Sequence, residues 1–279
     1  MRIRKIQILL ALFWSLLALA ANAAAGPCGP GRAGYTLPNT ARISLDKANL
    51  TYHGGPTIIS AKVVLIFWGP SFSNPASPDW TYAHTLQAFR DQLGTTPEYN
   101  VITQYSGITL ANLGSGTADW FNTSTPPTNV TDAAEQSQVN TYLSTHAFNS
   151  SAIYTVVLPR TSYASSGTST SCGGPRLAFC AYHSWIGSGT SAKKYIVLPY
   201  PSCSGCQVPG WTDVQNAEHF LVHEIREAVT DSTGSAWFDS LGNEADDKCA
   251  WSPMPFIGTG GYAYQYEWSN LAGGCVKTR

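Results

Sequence analysis

The chain has 279 residues, 43% of them hydrophobic and 12% aromatic. That excludes wholesale disorder and suits one large domain or two small ones. Lys plus Arg number 16 and Asp plus Glu 17, for a net charge of -1, so there is no basic surplus to hold a nucleic acid. Charged residues are only 12%, about half the usual share, which leaves Ser, Thr, Asn, Gln and Gly to carry the polar surface.

In chain order, residues 1–25 read as a signal peptide. Met1-Arg-Ile-Arg-Lys5 is the charged start, Ile6 to Ala20 the apolar stretch, and Ala21-Asn22-Ala23 a small-x-small cleavage site. An apolar stretch of about 15 residues is short for a membrane anchor, which needs about 20. The expected location is extracellular or periplasmic, with no membrane association after cleavage. Seven Cys agree with an oxidising compartment. Local spacing suggests the pairs Cys172–Cys180, Cys203–Cys206 and Cys249–Cys275, leaving Cys28 over, although sequence alone does not fix connectivity. Cys203-Ser-Gly-Cys206 also resembles half a zinc site, but lacks a second such pair, so a small disulfide loop is the preferred reading.

Residues 26–279 are expected to form a single domain. Residues 26–50, rich in Gly, Pro and Asn, look like an extended arm. Lys62 to Trp68 is an unbroken apolar run that predicts a buried strand. Trp80, His84, Leu86, Phe89 and Leu93 recur at helical spacing behind Asp79, a plausible cap. Residues 94–131 read as a long loop with weak strand signals at 101–105 and 108–110. A helix capped by Thr131 or Asp132 follows to Leu143, then a buried strand at 153–158. Residues 161–176 are a Ser/Thr/Gly loop. Strands are predicted at 178–184 and 195–199, a helix from Asp213 or Asn216 to about Val229, and mostly loops thereafter, with a short strand near 262–266. The expected fold class is α/β: one mixed sheet with a zincin-like helix and disulfide-stabilised loops.

The informative segment is His219-Phe-Leu-Val-His223-Glu224-Ile-Arg-Glu227-Ala-Val-Thr-Asp231. Residues four apart on a helix lie about 40° apart on one face, so His223 and Glu227 project together, with Glu224 beside them. This is the geometry of an H-E-x-x-H zinc helix with Glu in place of the second His, and carboxylate is an accepted zinc ligand. Asp239, Glu244, Asp246 and Asp247 follow within 20 positions, and Glu244 or Asp247 is the expected third ligand. The rival clip is His219 with His223. A His- and Glu-rich helix is more often a solvated amphipathic face. Here the apolar flanks Phe220-Leu-Val and Ala228-Val229 predict burial, where unpaired charges are costly and a shared cation is a remedy. Asp231, at the unfavourable end of the helix dipole, calls for a partner in a metal, a backbone turn or Arg226. His183 is either a packed strand residue or a donor to a transition-state oxyanion. His53 reads as fixing the entry to the first strand, and His84 and His146 as ordinary helix residues. No G-x-S-x-G elbow, P-loop or G-x-G-x-x-G occurs, so serine-hydrolase and nucleotide chemistry lack support.

Several segments together resemble the phosphate-induced, EXORDIUM-like family of exported proteins. They are Leu50-Thr-Tyr-His53-Gly-Gly-Pro56, Ile66-Phe-Trp-Gly69, Phe179-Cys-Ala-Tyr-His183 and Cys203-Ser-Gly-Cys206. His223 to Asp231, Trp237 to Asp239, Glu244 to Cys249 and Gln265 to Asn270 resemble its microbial branch. That resemblance favours Glu227 over His219, and the Asp231-Ser232 step departs from its Asp-Pro. It leaves the plant members' growth role uncarried, because those lack the His-Glu pair.

The expected function is a secreted zinc hydrolase, foremost a peptidase. His223, Glu227 and one of Glu244 and Asp247 would hold the metal, Glu224 would act as general base, and His183 would assist. The expected partner is an extracellular peptide or cell-wall substrate, met by a monomer. The alternatives are a non-catalytic cell-wall, carbohydrate-binding or signalling protein holding a structural ion such as calcium, and a degenerate site that binds a partner.

Overall fold

The computed structural model describes residues 34–38 and 48–279. Residues 1–33 and 39–47, with the expected signal peptide, Cys28 and most of the N-terminal arm, lie outside the described residues. Among those described, no helix is long and apolar enough to cross a membrane.

The centre is a six-stranded mixed sheet. Its strands are β1 (Gly34–Thr36), β2 (Lys62–Trp68), β3 (Trp120–Asn122), β4 (Ala152–Val157), β5 (Ala181–Ile186) and β6 (Lys193–Leu198). Their order across the sheet is β1-β5-β6-β4-β2-β3. β6, β4, β2 and β3 run parallel, whereas β5 pairs antiparallel with both β6 and β1. β2 and β4 are buried on both faces, as continuous apolar runs in a parallel sheet should be.

Among the described residues three α-helices cover the sheet: α1 (Pro78–Leu93), α2 (Asp132–Leu143) and α3 (Asp213–Thr230). Strand alternation sends Val63, Leu65, Phe67, Ile153 and Ile196 into one core with α1 and α3. Their neighbours Val64, Ile66, Tyr154, Tyr195 and Val197 form a second core with α2. The result is a helix–sheet–helix sandwich.

Several boundaries differ from expectation for local reasons. Ser77, not Asp79, caps α1: its side chain accepts from the Asp79 N–H, and Pro78 sits at the first helical position, where no donor is needed. The Val101–Ile102 region is a 3₁₀ turn (Tyr99–Gln104) rather than a strand, because Tyr99, Val101 and Ile102 all face the core from one coil. No strand forms at 108–110. The 161–176 stretch contains a small hairpin, Tyr163–Ser166 with Ser169–Thr170. His146 lies beyond the end of α2, its ring stacked on Tyr142 at 4.0 Å.

The described residues form three disulfides, Cys172–Cys203, Cys180–Cys206 and Cys249–Cys275. Only the last matches local spacing. Cys203 and Cys206 bracket a single tight turn and each reaches across to the segment leading into β5, instead of closing on one another. The nearness of Cys172, Cys203 and Cys206 therefore reflects two bridges, and none of the three is a free thiolate for a metal.

Candidate metal centre

α3 begins with a reciprocal cap. The Thr212 hydroxyl accepts from the Gln215 N–H, while the Gln215 side chain accepts from the Thr212 N–H. From Asn216 to Thr230 every residue of α3 is buried. A helix buried all round cannot leave its polar side chains to water, so each of them needs a partner inside the protein.

Asp231 ends the helix, and one of its two oxygens finds partners in the turn that follows while Oδ2 is left without a hydrogen bond. Its Oδ1 accepts from the Ser235 and Ala236 N–H groups at 2.6 and 2.7 Å, which selects the backbone turn among the expected partners. Arg226 points away from His223 to a separate ionic cluster with Asp246 and Glu267. Asp239 is taken up by Lys248 at 2.9 Å and by its own loop. Asp239 and Asp246 are thus spoken for. His219 is walled by Trp211, Phe220 and Trp251. Burial, followed by the nearby His223, drives its pKa well below the ordinary value, so it is a neutral ring outside the cluster.

What remains converges on one point beneath α3. His183 comes from β5, whose alternation turns it toward α3 while Tyr182 faces the α2 side. His223, Glu224 and Glu227 come from α3. Glu244 and Asp247 come from the loop that returns under the helix. Each of these six residues is at most 1% exposed. The sequence-derived set of His183, His223, Glu224, Glu227, Glu244 and Asp247 is therefore brought together in full.

Each member is aimed. Glu227 accepts from the Asp247 N–H on one oxygen (3.0 Å), which turns its Oε2 toward His223 Nε2 at 3.2 Å. Asp247 accepts from the Glu244 N–H on Oδ2 and directs Oδ1 toward the same His223 nitrogen, 3.8 Å away. His223 Nδ1 lies 3.1 Å from Gln265 Oε1, and Gln265 Nε2 donates to the Asp246 carbonyl at 2.7 Å. The amide is thereby oriented with its oxygen toward His223. The Nδ1 position must carry a proton, so a ring bound to a cation would present its lone pair at Nε2. His223 Nε2, Glu227 Oε2 and Asp247 Oδ1 make no hydrogen bond. Two carboxylate oxygens face the one imidazole nitrogen in a dry interior.

The other half of the cluster is bonded differently. His183 Nδ1 lies 3.0 Å from Glu224 Oε2 and 3.7 Å from Glu227 Oε2, and its Nε2 is 3.5 Å from Glu244 Oε2. Glu224 Oε1 accepts both the N–H of Thr36, at 3.1 Å, and its hydroxyl. Sequence reasoning missed Gln265 as an orienting group and Thr36 altogether.

The electrostatics follow. Burial disfavours imidazolium, yet Glu227 outweighs it at His223, raising that pKa well above the ordinary value, and Glu224 does the same at His183. Burial raises Glu227, but adjacent His223 wins and holds it below the usual carboxylate range. Burial and the Glu227 charge together push Asp247 well up. Without a cation, shared protons must balance these acids; a divalent ion does so directly.

The spacing suits such an ion. Bonds of about 2.0–2.2 Å in a tetrahedron put neighbouring ligand atoms roughly 3.3–3.6 Å apart. The 3.2 and 3.8 Å separations from His223 Nε2 bracket that range. His183, Glu227 and Glu244, and likewise His223, Glu224 and Glu227, each offer ligand atoms within 4.8 Å of one another. Comparison with known proteins finds no match, whether to a protein-family model, a curated protein or a solved structure.

Proposed function

We propose that this chain is a secreted metal-dependent hydrolase, foremost a zinc peptidase. The observation that carries the reading is that Glu227 Oε2 and Asp247 Oδ1 both face His223 Nε2, each of the three atoms aimed by a backbone or amide contact and none of them hydrogen-bonded. Those three residues would hold the ion, with Glu244 as a further carboxylate beside His183. An imidazole among the donors favours zinc over calcium, which takes six to eight oxygens. When bound, zinc supplies a Lewis acid that acidifies water and polarises a carbonyl.

The remaining work falls to the chain's own groups. Glu224 takes a proton from the attacking water; the water oxygen adds to the scissile carbonyl carbon, the C–N bond breaks, and Glu224 returns the proton to the leaving nitrogen. His183 is held by Glu224 and carries positive charge readily, which suits it to steady the oxyanion that develops on the carbonyl. The three disulfides and the signal-like first 25 residues support an exported setting. The EXORDIUM-like resemblance agrees with export and leaves the chemistry to the site.

The carbohydrate-binding alternative draws little support from the surface. Among the residues whose exposure is described, Tyr52, at 47%, is the one exposed Tyr or Trp, too few for a sugar-stacking platform.

The test is elemental analysis of protein purified without chelator or nickel, paired with hydrolysis of a mixed peptide library. Stoichiometric zinc is expected, with a Glu224→Gln variant that keeps the zinc and loses about 10²–10⁴ in rate. Calcium, no metal, or unchanged hydrolysis in that variant would overturn the reading.

A further inference from the structure

Glu224 has no oxygen to spare. Oε2 is against His183, and Oε1 accepts two hydrogen bonds from Thr36. Thr36 is fully buried, although it belongs to the outermost strand of the sheet. That strand, β1, is three residues long and pairs antiparallel with β5, with Gly34 opposite His183 and Thr36 opposite Ala181. The Thr36 carbonyl accepts from the Cys180 N–H at 2.7 Å, and the Leu37 carbonyl accepts from the Trp251 indole at 2.8 Å. Nearly all of this docking uses main-chain groups, which any extended peptide possesses.

We propose that residues 34–38 are an intramolecular strap seated in the groove that receives substrate, and that the substrate is an extended peptide adding to the edge of β5 as an antiparallel strand. This rests on the hydrolytic reading of the buried cluster and names both its substrate class and its latency. The Thr36 amide nitrogen, 3.1 Å from Glu224 Oε1, stands where a leaving nitrogen has to stand to take a proton from that carboxylate. With the strap in place the base is occupied and the edge is filled. With the strap withdrawn, β5 presents unpaired N–H and C=O groups beside His183, and such an edge recruits another strand.

The experiment uses the full chain with a specific protease site placed within residues 39–47, so that cutting severs the strap without deleting it. A fluorescein-labelled synthetic peptide of residues 31–38 is the probe, read by anisotropy on cut and uncut protein, with metal content measured on the same samples. The expected result is saturable binding to the cut protein, at least tenfold weaker binding to the uncut, and displacement by unrelated extended peptides but not by free amino acids. The same probe carrying Thr36→Val loses a hydrogen bond to a carboxylate and is expected to bind about tenfold more weakly. Peptide hydrolysis, where zinc is present, is expected to rise on cutting. Equal binding to cut and uncut protein, no binding to either, or a Thr36→Val probe that binds as well as the original would overturn the strap. Binding without metal or hydrolysis would leave the strap standing and sink the hydrolase reading instead.

Discussion

The sharpest test of the proposed metal centre is Glu227→Gln, because the substitution keeps a hydrogen bond to each neighbour while removing an anionic ligand. The Gln carbonyl can keep accepting from the Asp247 N–H, as Glu227 Oε1 does. Its NH₂ group then takes the place of Oε2, 3.2 Å from His223 Nε2, and donates to the ring once it is neutral. The charged pair that holds the His223 pKa up in the metal-free protein becomes a neutral hydrogen bond, so the metal-free variant keeps a contact there and its His223 titrates at lower pH than in the metal-free wild type. It has lost an anionic ligand, however. For the wild type, zinc at 100 times its dissociation constant adds about 2.7 kcal/mol of stability. Unfolding entropy of about 2.1 cal/mol/K per residue gives roughly 0.5 kcal/mol/K for a chain of this size, hence a rise in Tm of about 5 °C. Differential scanning calorimetry of chelator-stripped protein, with and without zinc, reads both quantities. The same zinc-induced rise in Glu227→Gln, or none in the wild type with any divalent ion, refutes the reasoning.

Gln265→Leu removes the acceptor that fixes the His223 tautomer while touching no proposed ligand; zinc affinity by competition with a chelating dye is expected to fall about 10–100-fold. Glu218, in the first half of α3, has its pKa pushed up to about 7 by burial, although the Ala263 N–H it accepts works the other way. A raised carboxyl favours the folded state while protonated, so this contribution is present below the unfolded value near 4.5 and is lost as pH rises toward 7. Glu218→Gln keeps the acceptor and removes the charge; urea unfolding is expected to show the variant more stable at pH 8 by up to about 3 kcal/mol and little changed at pH 4.5. A wild-type pH slope retained in the variant contradicts the assignment.

How much of this was legible in the sequence depends on the range of the interaction. β2 and α2 were readable to within a residue or two, because continuous apolar runs and caps are local signals. The trio His223, Glu224 and Glu227 was readable for the same reason, since helical periodicity alone sets their common face. Glu244 and Asp247 were readable only as members of an acidic loop that might return under the helix. Gln265 and Thr36 were not readable at all: they lie 42 and 188 positions from their partners, and nothing in a Gln or a Thr advertises which one orients an imidazole or covers a carboxylate. The crossed disulfides failed for a like reason, because spacing along the chain says little about which loops the sheet brings side by side. The 3₁₀ turn at Tyr99–Gln104 shows tertiary packing overriding a β-branched pair.

The Cys180–Cys206 bridge has a further consequence for β5. The strand begins at the very next residue, and alternation alone decides which of its side chains looks toward α3. A slip of one position would present Tyr182 where His183 belongs and bury the imidazole against α2. Covalent anchoring at the head of the strand makes that shift a matter of breaking a bond rather than of thermal sliding, so the bridge acts as a key that keeps the teeth of this edge in phase.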